Sequence, residues 1–367
     1  MTEKLFSELK LGQLQLDHRV VMAPLTRMRA DFPGNIPNDM MADYYGQRAS
    51  KGGLIIAEAS QISQSGRGAP CTPGIHSADQ IAGWQKVTAA IHEKGGFAYL
   101  QLWHMGRLSH SEYQPDGGAP FAPSAVAAKT EVLLPDRTRV PCPAPRAMAA
   151  DDIQSLVNDY VHAAKSAIEA GFDGIEIHSA NGYLLEQFLQ SKTNIRTDRW
   201  GGTIENRCRL ILNIVEKVST AIGSDRVGIR LSPFGIANDS GEDDPMPVYT
   251  YLIDQLNQFE LAYLHLIEPR ASGAGQRDVN HTNVPSAAEL FRPRWQGCLI
   301  IAGNFDRASA IEILEKGHAD AVAFGRYFIS NPDLPRRLNL DKPLNAYDRS
   351  TFYTPGLKGY IDYPFLE

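Results

Sequence analysis

The segment HSANGYLLEQFLQ, residues 178 to 190, follows directly on FDGIEI, a short apolar run of the kind that fills a buried strand. It begins with an imidazole, a carboxamide and a phenol: His178, Asn181 and Tyr183. All three groups donate hydrogen bonds, and the first and last also exchange protons. A lone His at the end of a strand is ordinarily a satisfied core residue. Three such groups converging at one strand end favour a reactive site instead.

A site of this kind needs elements that bring several strand ends together. Eight short aliphatic runs recur along the chain: VVMAPL (20–25), LIIAEAS (54–60), AYLQLW (98–103), GIEIHS (174–179), VGIRLS (227–232), YLHLIE (263–268), LIIAGN (299–304) and AVAFGR (321–326). Near-continuous apolar runs, as opposed to alternating ones, mark parallel strands covered on both faces. Between them lie stretches with helical periodicity, such as 80–95, 151–171, 206–223 and 306–317, several of them ending in Gly. The alternation predicts an α/β fold, a (β/α)₈ TIM barrel forming a single domain over residues 1–367. LKLGQLQLDHR (9–19) alternates around a Gly and reads as an N-terminal β-hairpin plugging the barrel. The Pro-, Gly- and Ser-rich stretch at about 104–150, after strand 3, is too long for a structureless loop and reads as a capping excursion over the mouth.

Barrels of this type carry their chemistry at the carboxyl ends of the strands. The residues there are Pro24, Leu25 and Thr26, then Ala57 and Glu58, Gln101, Trp103 and His104, the trio of His178, Asn181 and Tyr183, and Arg230; Gly303, Asn304, Gly325 and Arg326 complete the set. Gly-containing turns after strands 7 and 8 are the usual phosphate site, although close turns alone would also call for Gly. Gln101 offers an amide edge, Thr26 a hydroxyl, and Arg230 a fixed cation where negative charge would gather in a reduced ring. These suit a flavin. The alternative for Arg230 is a salt bridge inside the barrel, with Glu58 or Glu176 for example.

MAPLTR (22–27), QLWHMGR (101–107), HSANGYLLEQFL (178–189), RTDRWGGTIENR (196–207), AGN (302–304) and AVAFGR (321–326) together resemble the old yellow enzyme family of FMN-dependent ene-reductases, nearest to its bacterial N-ethylmaleimide reductase and xenobiotic reductase group. The resemblance implies non-covalent FMN, reduced by NADPH or NADH and reoxidised in ping-pong fashion by an electrophilic alkene or nitro substrate, with nitrate esters as a further class. It assigns Pro24, Leu25 and Ala57 to the flavin ring, Thr26 to its C4 carbonyl, Gln101 and Arg230 to its pyrimidine edge, and Gly303, Asn304, Gly325 and Arg326 to its phosphate. It gives the substrate oxygen to His178 and Asn181, proton delivery to Tyr183, and the shape of the substrate pocket to Thr26, Trp103 and Tyr353. Asn181 stands where some members carry a second His, and Thr26 where others carry a redox-tuning Cys. RTDRWGGTIENR reads as a turn and helix cap beside the site, its arginines paired with carboxylates.

A net charge of −6 from 36 basic and 42 acidic residues, with no Lys/Arg block, argues against nucleic acid and membrane surfaces as partners. No stretch is apolar enough to span a bilayer or act as a secretory signal, so a cytoplasmic protein is expected. Cys71, Cys142, Cys208 and Cys298 form no CxxC pair, and His104 and His110 lack helical spacing and a third ligand, so no metal site is expected. Larger dienoyl-CoA or trimethylamine-type flavoproteins carry a Cys-rich iron–sulfur segment that these residues do not contain. No Lys stands at a strand end, which counts against a Schiff-base lyase. A flavin-binding sensor or sequestration protein is the competing class; it would not need donors and an acid together.

Overall fold

A computed structural model describes residues 3–269 and 284–367. Eight parallel strands close into a barrel in chain order: β1 (Val20–Met22), β2 (Leu54–Gln61), β3 (Phe97–Trp103), β4 (Gly174–Ser179), β5 (Val227–Leu231), β6 (Tyr263–Ile267), β7 (Leu299–Ala302) and β8 (Ala321–Phe324). Closure comes from β8 pairing with β1, Val322 opposite Val20. All eight apolar runs contain strands, and Pro24–Leu25, Gly303–Asn304 and Gly325–Arg326 lie just past the paired region, whereas Ala57 and Glu58 lie within β2.

Helices α1 (Asp39–Arg48), α2 (Ala78–Glu93), α3 (Ala150–Glu169), α4 (Leu184–Leu189), α5 (Ile204–Ile222), α6 (Pro245–Leu256), α7 (Ala287–Phe291), α8 (Arg307–Glu315), α9 (Arg326–Ser330) and α10 (Leu334–Asn339) wrap the barrel or close its end. Local chemistry sets their limits. Ser77 and Gln80 form a reciprocal capping box at the start of α2. Thr203 accepts from the Asn206 N–H at the start of α5, and Gly223 ends that helix at φ 92°.

Two apolar layers result. Outward-facing residues of the strands, such as Ile55, Ala57, Ile175 and Ile177, pack against the helices. Inward-facing ones, Leu54, Ile56, Tyr99 and Ile300 among them, meet Leu11, Leu14 and Leu16 of the antiparallel hairpin Leu9–Leu11/Leu14–Leu16. The hairpin therefore fills the amino-terminal end of the barrel. Its turn requires Gly12, at φ 53°, because a Cβ would lie 2.0 Å from the Asp225 carbonyl oxygen.

The excursion after β3 carries small elements of its own. Phe121–Ala122 pairs with Arg146–Ala147, and Glu131–Leu133 forms a hairpin with Arg139–Pro141. Val132 and Cys142 bury against Trp103, Met105 and Tyr113 in a third apolar cluster. The cap is thereby seated on the end of β3.

Candidate active site

A cavity of about 450 Å³ opens at the carboxyl ends of the strands, within the range of roughly 300–1,000 Å³ that small-molecule sites occupy. Pro24, Leu25 and Thr26 line it after β1, Gln101 and Trp103 on β3, and Arg230 on β5. His178, Asn181 and Tyr183 line it after β4, and the two Gly turns after β7 and β8 bring Gly303, Asn304, Gly325 and Arg326. Tyr353 reaches it from the C-terminal segment.

Ala57 is the exception. Its side chain belongs to the outer layer, and Ala59 lines the cavity in its place. The cause is a bulge: Ala57 pairs with Leu100 but Ser60 with Leu102, so one extra residue in β2 shifts the inward alternation from 54 and 56 to 59. Glu58 consequently turns outward, accepting from the Arg27 N–H at 3.0 Å and the Tyr45 hydroxyl at 3.2 Å. It is not a partner for Arg230.

The turn between β4 and α4 fixes the polar trio. Asn181 is left-handed at φ 59°, a conformation that Asn tolerates better than most residues. Its N–H donates to Ser232 Oγ at 2.9 Å, and its carbonyl accepts from Asn238 Nδ2 at 2.8 Å. Glu186 accepts from the Gly182 N–H, from Ser232 Oγ and from the Tyr249 hydroxyl, at 2.5, 2.5 and 2.7 Å. With the Asn181 backbone committed, its side-chain amide is left for the cavity. The Tyr183 ring lies edge-on to His178 at 4.9 Å and to Trp103 at 4.8 Å between centroids. The three rings form one wall.

Burial sets the protonation states. Desolvation, then the charges of Arg230 and His265, hold His178 well below its ordinary range, so it is a neutral imidazole with one N–H to donate. Its Nδ1 is buried without a hydrogen-bond partner among the described residues. Desolvation, then Tyr353, push the Tyr183 phenol up, against smaller opposing effects of Asn238 and Arg230. It keeps its proton at neutral pH.

The opposite wall suits a flavin. Among the described residues Arg230 makes no ion pair: both oxygens of Glu176 are taken, by Gln101 Nε2 at 2.7 Å and His265 Nδ1 at 2.7 Å. Arg230 Nε is buried without a partner among the described residues, an arrangement that a ligand in the cavity would satisfy. Gly303 adopts φ 136°, and a Cβ there would come within 2.7 Å of Glu268 Cβ, so the turn is built for close approach of backbone. Arg326 donates to Asn304 Oδ1 at 2.9 Å, tying the two turns together.

Other sequence readings resolve as structure. Arg196 pairs with Asp198 and Arg207 with Glu242, whereas Arg199 lies over the Trp200 ring at 5.0 Å instead of a carboxylate. His104 Nδ1 accepts from the Gly106 N–H at 3.0 Å, and burial pushes its pKa down to about 3. His110 accepts from the Glu112 N–H as a cap. Among the described residues no cluster of His, Cys, Asp or Glu could hold a metal, and no helix is long and apolar enough to cross a membrane.

Several lining residues escaped the sequence reading, notably Ala59, Asn238 and the cap hairpin's Glu131 and Arg139. Asn238 stands in GIANDSG, seven residues past the end of β5 at Leu231. Tyr353 is held by arginines distant in sequence: Arg137 donates to its carbonyl at 2.9 Å, and Arg27 to that of Phe352 at 3.1 Å.

Comparison with known proteins agrees with this geometry. The family model described as the NADH:flavin oxidoreductase / NADH oxidase family matches residues 4–345. The 12-oxophytodienoate reductase 1 of Oryza sativa subsp. japonica is 46% identical over 366 residues, covering 99% of this chain and 93% of its own. Morphinone reductase superposes with a TM-score of 0.93 at 47% identity, over 100% of this chain and 97% of that one. Its complex with tetrahydroNAD gives 0.91 at 47% identity, over 99% and 98%. An old yellow enzyme homologue from Zymomonas mobilis gives 0.93 at 40% identity, over 99% of both chains. Sequence match and superposition along nearly the whole length lead to one assignment: the chain belongs to the NADH:flavin oxidoreductase / NADH oxidase family, among the old yellow enzymes.

Proposed function

We propose that this protein is an NAD(P)H-dependent, FMN-containing ene-reductase that reduces activated C=C bonds of enones, maleimides and nitroalkenes, with nitro compounds and nitrate esters as further acceptors. The observation that carries this reading is the convergence, on one cavity, of a neutral imidazole, a left-handed Asn and a protonated phenol. A sequestration or sensor protein has no use for that combination.

Bound FMN would supply the hydride chemistry between the nicotinamide and the β-carbon of the alkene. Pro24, Leu25, Thr26 and Ala59 would hold its ring, Gln101 and Arg230 its pyrimidine edge, and Gly303, Asn304, Gly325 and Arg326 its phosphate. His178 and Asn181 donate hydrogen bonds to the carbonyl or nitro oxygen of the substrate. Being fixed in advance, they stabilise the negative charge that develops there without reorganisation. Tyr183 gives its proton to the α-carbon. Trp103 and Tyr353 bound the space in which the substrate ring lies. Morphinone reductase, similar over the whole chain, binds tetrahydroNAD, which supports a nicotinamide as the reductant here.

The test begins with a visible spectrum of the purified protein. A yellow protein that releases FMN on acid precipitation, is bleached anaerobically by NADPH or NADH and recovers its colour on addition of a 2-enone has the proposed activity. Flavin that stays with the precipitate, FAD in the supernatant, or a bleached enzyme indifferent to enones would refute it.

A further inference from the structure

Beneath the cavity, the interior of the barrel holds two charged or titratable residues, Glu176 and His265, that the proposed chemistry does not use. Glu176 and Gln101 face each other across β4 and β3, and Arg230 is the register partner of both His178 on β4 and His265 on β6. Glu176 and His265 are both 0% exposed. A carboxylate only accepts hydrogen bonds, so Gln101 must present its NH₂ to Oε1 at 2.7 Å, and His265 its Nδ1–H to Oε2 at 2.7 Å. Flipping the Gln101 amide would set its oxygen against that carboxylate. Glu176 therefore dictates which way the amide points.

We propose that Glu176 is a positioning residue that fixes the Gln101 carboxamide and lowers the reduction potential of a flavin held by Gln101 and Arg230. The inference rests on the reading that FMN occupies this cavity. Burial pushes the Glu176 carboxyl up, but His265, Arg230 and Gln101 outweigh it and hold it below the ordinary carboxylate range, so the charge is present at neutral pH. Burial likewise holds the His265 imidazole below its ordinary range, against the pull of Glu176 at 2.7 Å. Glu176 and Arg230 lie in the same layer and feel each other without sharing a hydrogen bond among the described residues. Reduction of a flavin adds negative charge at the edge that Gln101 and Arg230 would bind, which Arg230 favours and Glu176 opposes.

The experiment measures the FMN midpoint potential of the holoenzyme against redox dyes under anaerobic conditions, together with the FMN dissociation constant. Glu176→Gln should raise the potential by the equivalent of about a tenfold gain in preference for reduced over oxidised FMN, about 30 mV for a two-electron couple. Glu176→Asp, which keeps the charge, should move it less, and His265→Asn less still. FMN should bind more weakly to Glu176→Gln, whose amide no longer dictates the Gln101 orientation. If Glu176→Gln does not fold, Glu176→Asp decides: its shorter carboxylate releases Gln101 but keeps the charge, so weaker FMN binding with a rise well under about 30 mV supports the proposal, and any other outcome overturns it. Equal shifts in Glu176→Gln and Glu176→Asp, or a fully flavinylated Glu176→Gln with the parent potential, would also overturn it. A parent protein without flavin removes the functional reading, whereas a yellow parent indifferent to Glu176 removes this inference alone.

Discussion

Removing one donor from the pair above the cavity tests the central assignment directly. A phenolate places a charged oxygen where the substrate oxygen would lie, so para-substituted phenols should bind the oxidised protein between His178 and Asn181. An electron-rich ring lying against oxidised flavin absorbs at long wavelength, and the titration of that band gives the dissociation constant. Binding should tighten as the phenol becomes more acidic, because the anion is the species bound. A hydrogen bond to a charged group contributes roughly 1.5–3 kcal/mol. His178 is 3% exposed and its ring is desolvated, which places its contribution toward the upper end; Asn181 is half-buried and belongs toward the lower. At about 1.4 kcal/mol per tenfold, His178→Ala should weaken phenol binding by about 30- to 100-fold and Asn181→Ala by about tenfold. The backbone of residue 181 is held by Ser232 and Asn238 independently of its side chain, so the second variant should keep the turn. Variants that bind phenols as tightly as the parent, with full flavin content, would show that this pair does not face the substrate oxygen.

Three further outcomes are expected. Tyr183→Phe should leave flavin reduction by nicotinamide unchanged and slow reoxidation by a 2-enone by about 10²–10⁴-fold in stopped flow, with nitroalkenes losing less because their nitronates can await a solvent proton; equal losses in both half-reactions would assign Tyr183 to packing. Gly303→Ala, at φ 136° and with its Cβ 2.7 Å from that of Glu268, should lower FMN affinity at least about tenfold in a fluorescence titration, and unaltered affinity would detach this turn from the phosphate. Burial raises the folded-state pKa of Glu186 to about 7 from 4.5. Between those values the unfolded chain has lost a proton that the folded one keeps, so this group's stabilisation is full below about 4.5 and is lost as pH rises to about 7. Relative to Glu186→Gln, the parent should therefore lose stability across that window in chemical denaturation, by at most about 1.4 kcal/mol per pH unit, and parallel pH profiles would show that Glu186 does not titrate there.

The barrel was legible because its signal is repeated and local. Parallel strands buried on both faces read as unbroken apolar runs, and each of the eight supplied its own evidence, down to within a residue or two at the amino-terminal ends. The hairpin declared itself by alternation around Gly12, and the cap by a length and composition that no simple loop has. What the sequence could not deliver was the side toward which each strand residue points once a strand departs from strict alternation. Ala57 and Ala59 are chemically identical, and only the bulge in β2, visible through its pairing with β3, decides which of them meets the cavity.

The same limit explains which parts of the site stayed hidden. His178, Asn181 and Tyr183 are consecutive enough in sequence to be seen as a group. Asn238, which holds the Asn181 carbonyl, and Arg137, which holds that of Tyr353, are separated from their partners by 57 and 216 positions. Arg230 shows the consequence for function. As a residue type it was equally compatible with an internal salt bridge to Glu176 and with an anion site. The register decides between them, because it sets Gln101 and His265 on either side of Glu176 and leaves Arg230 Nε buried without a hydrogen-bond partner among the described residues. A cation is available to a ligand here because an imidazole and an amide already satisfy the carboxylate beside it.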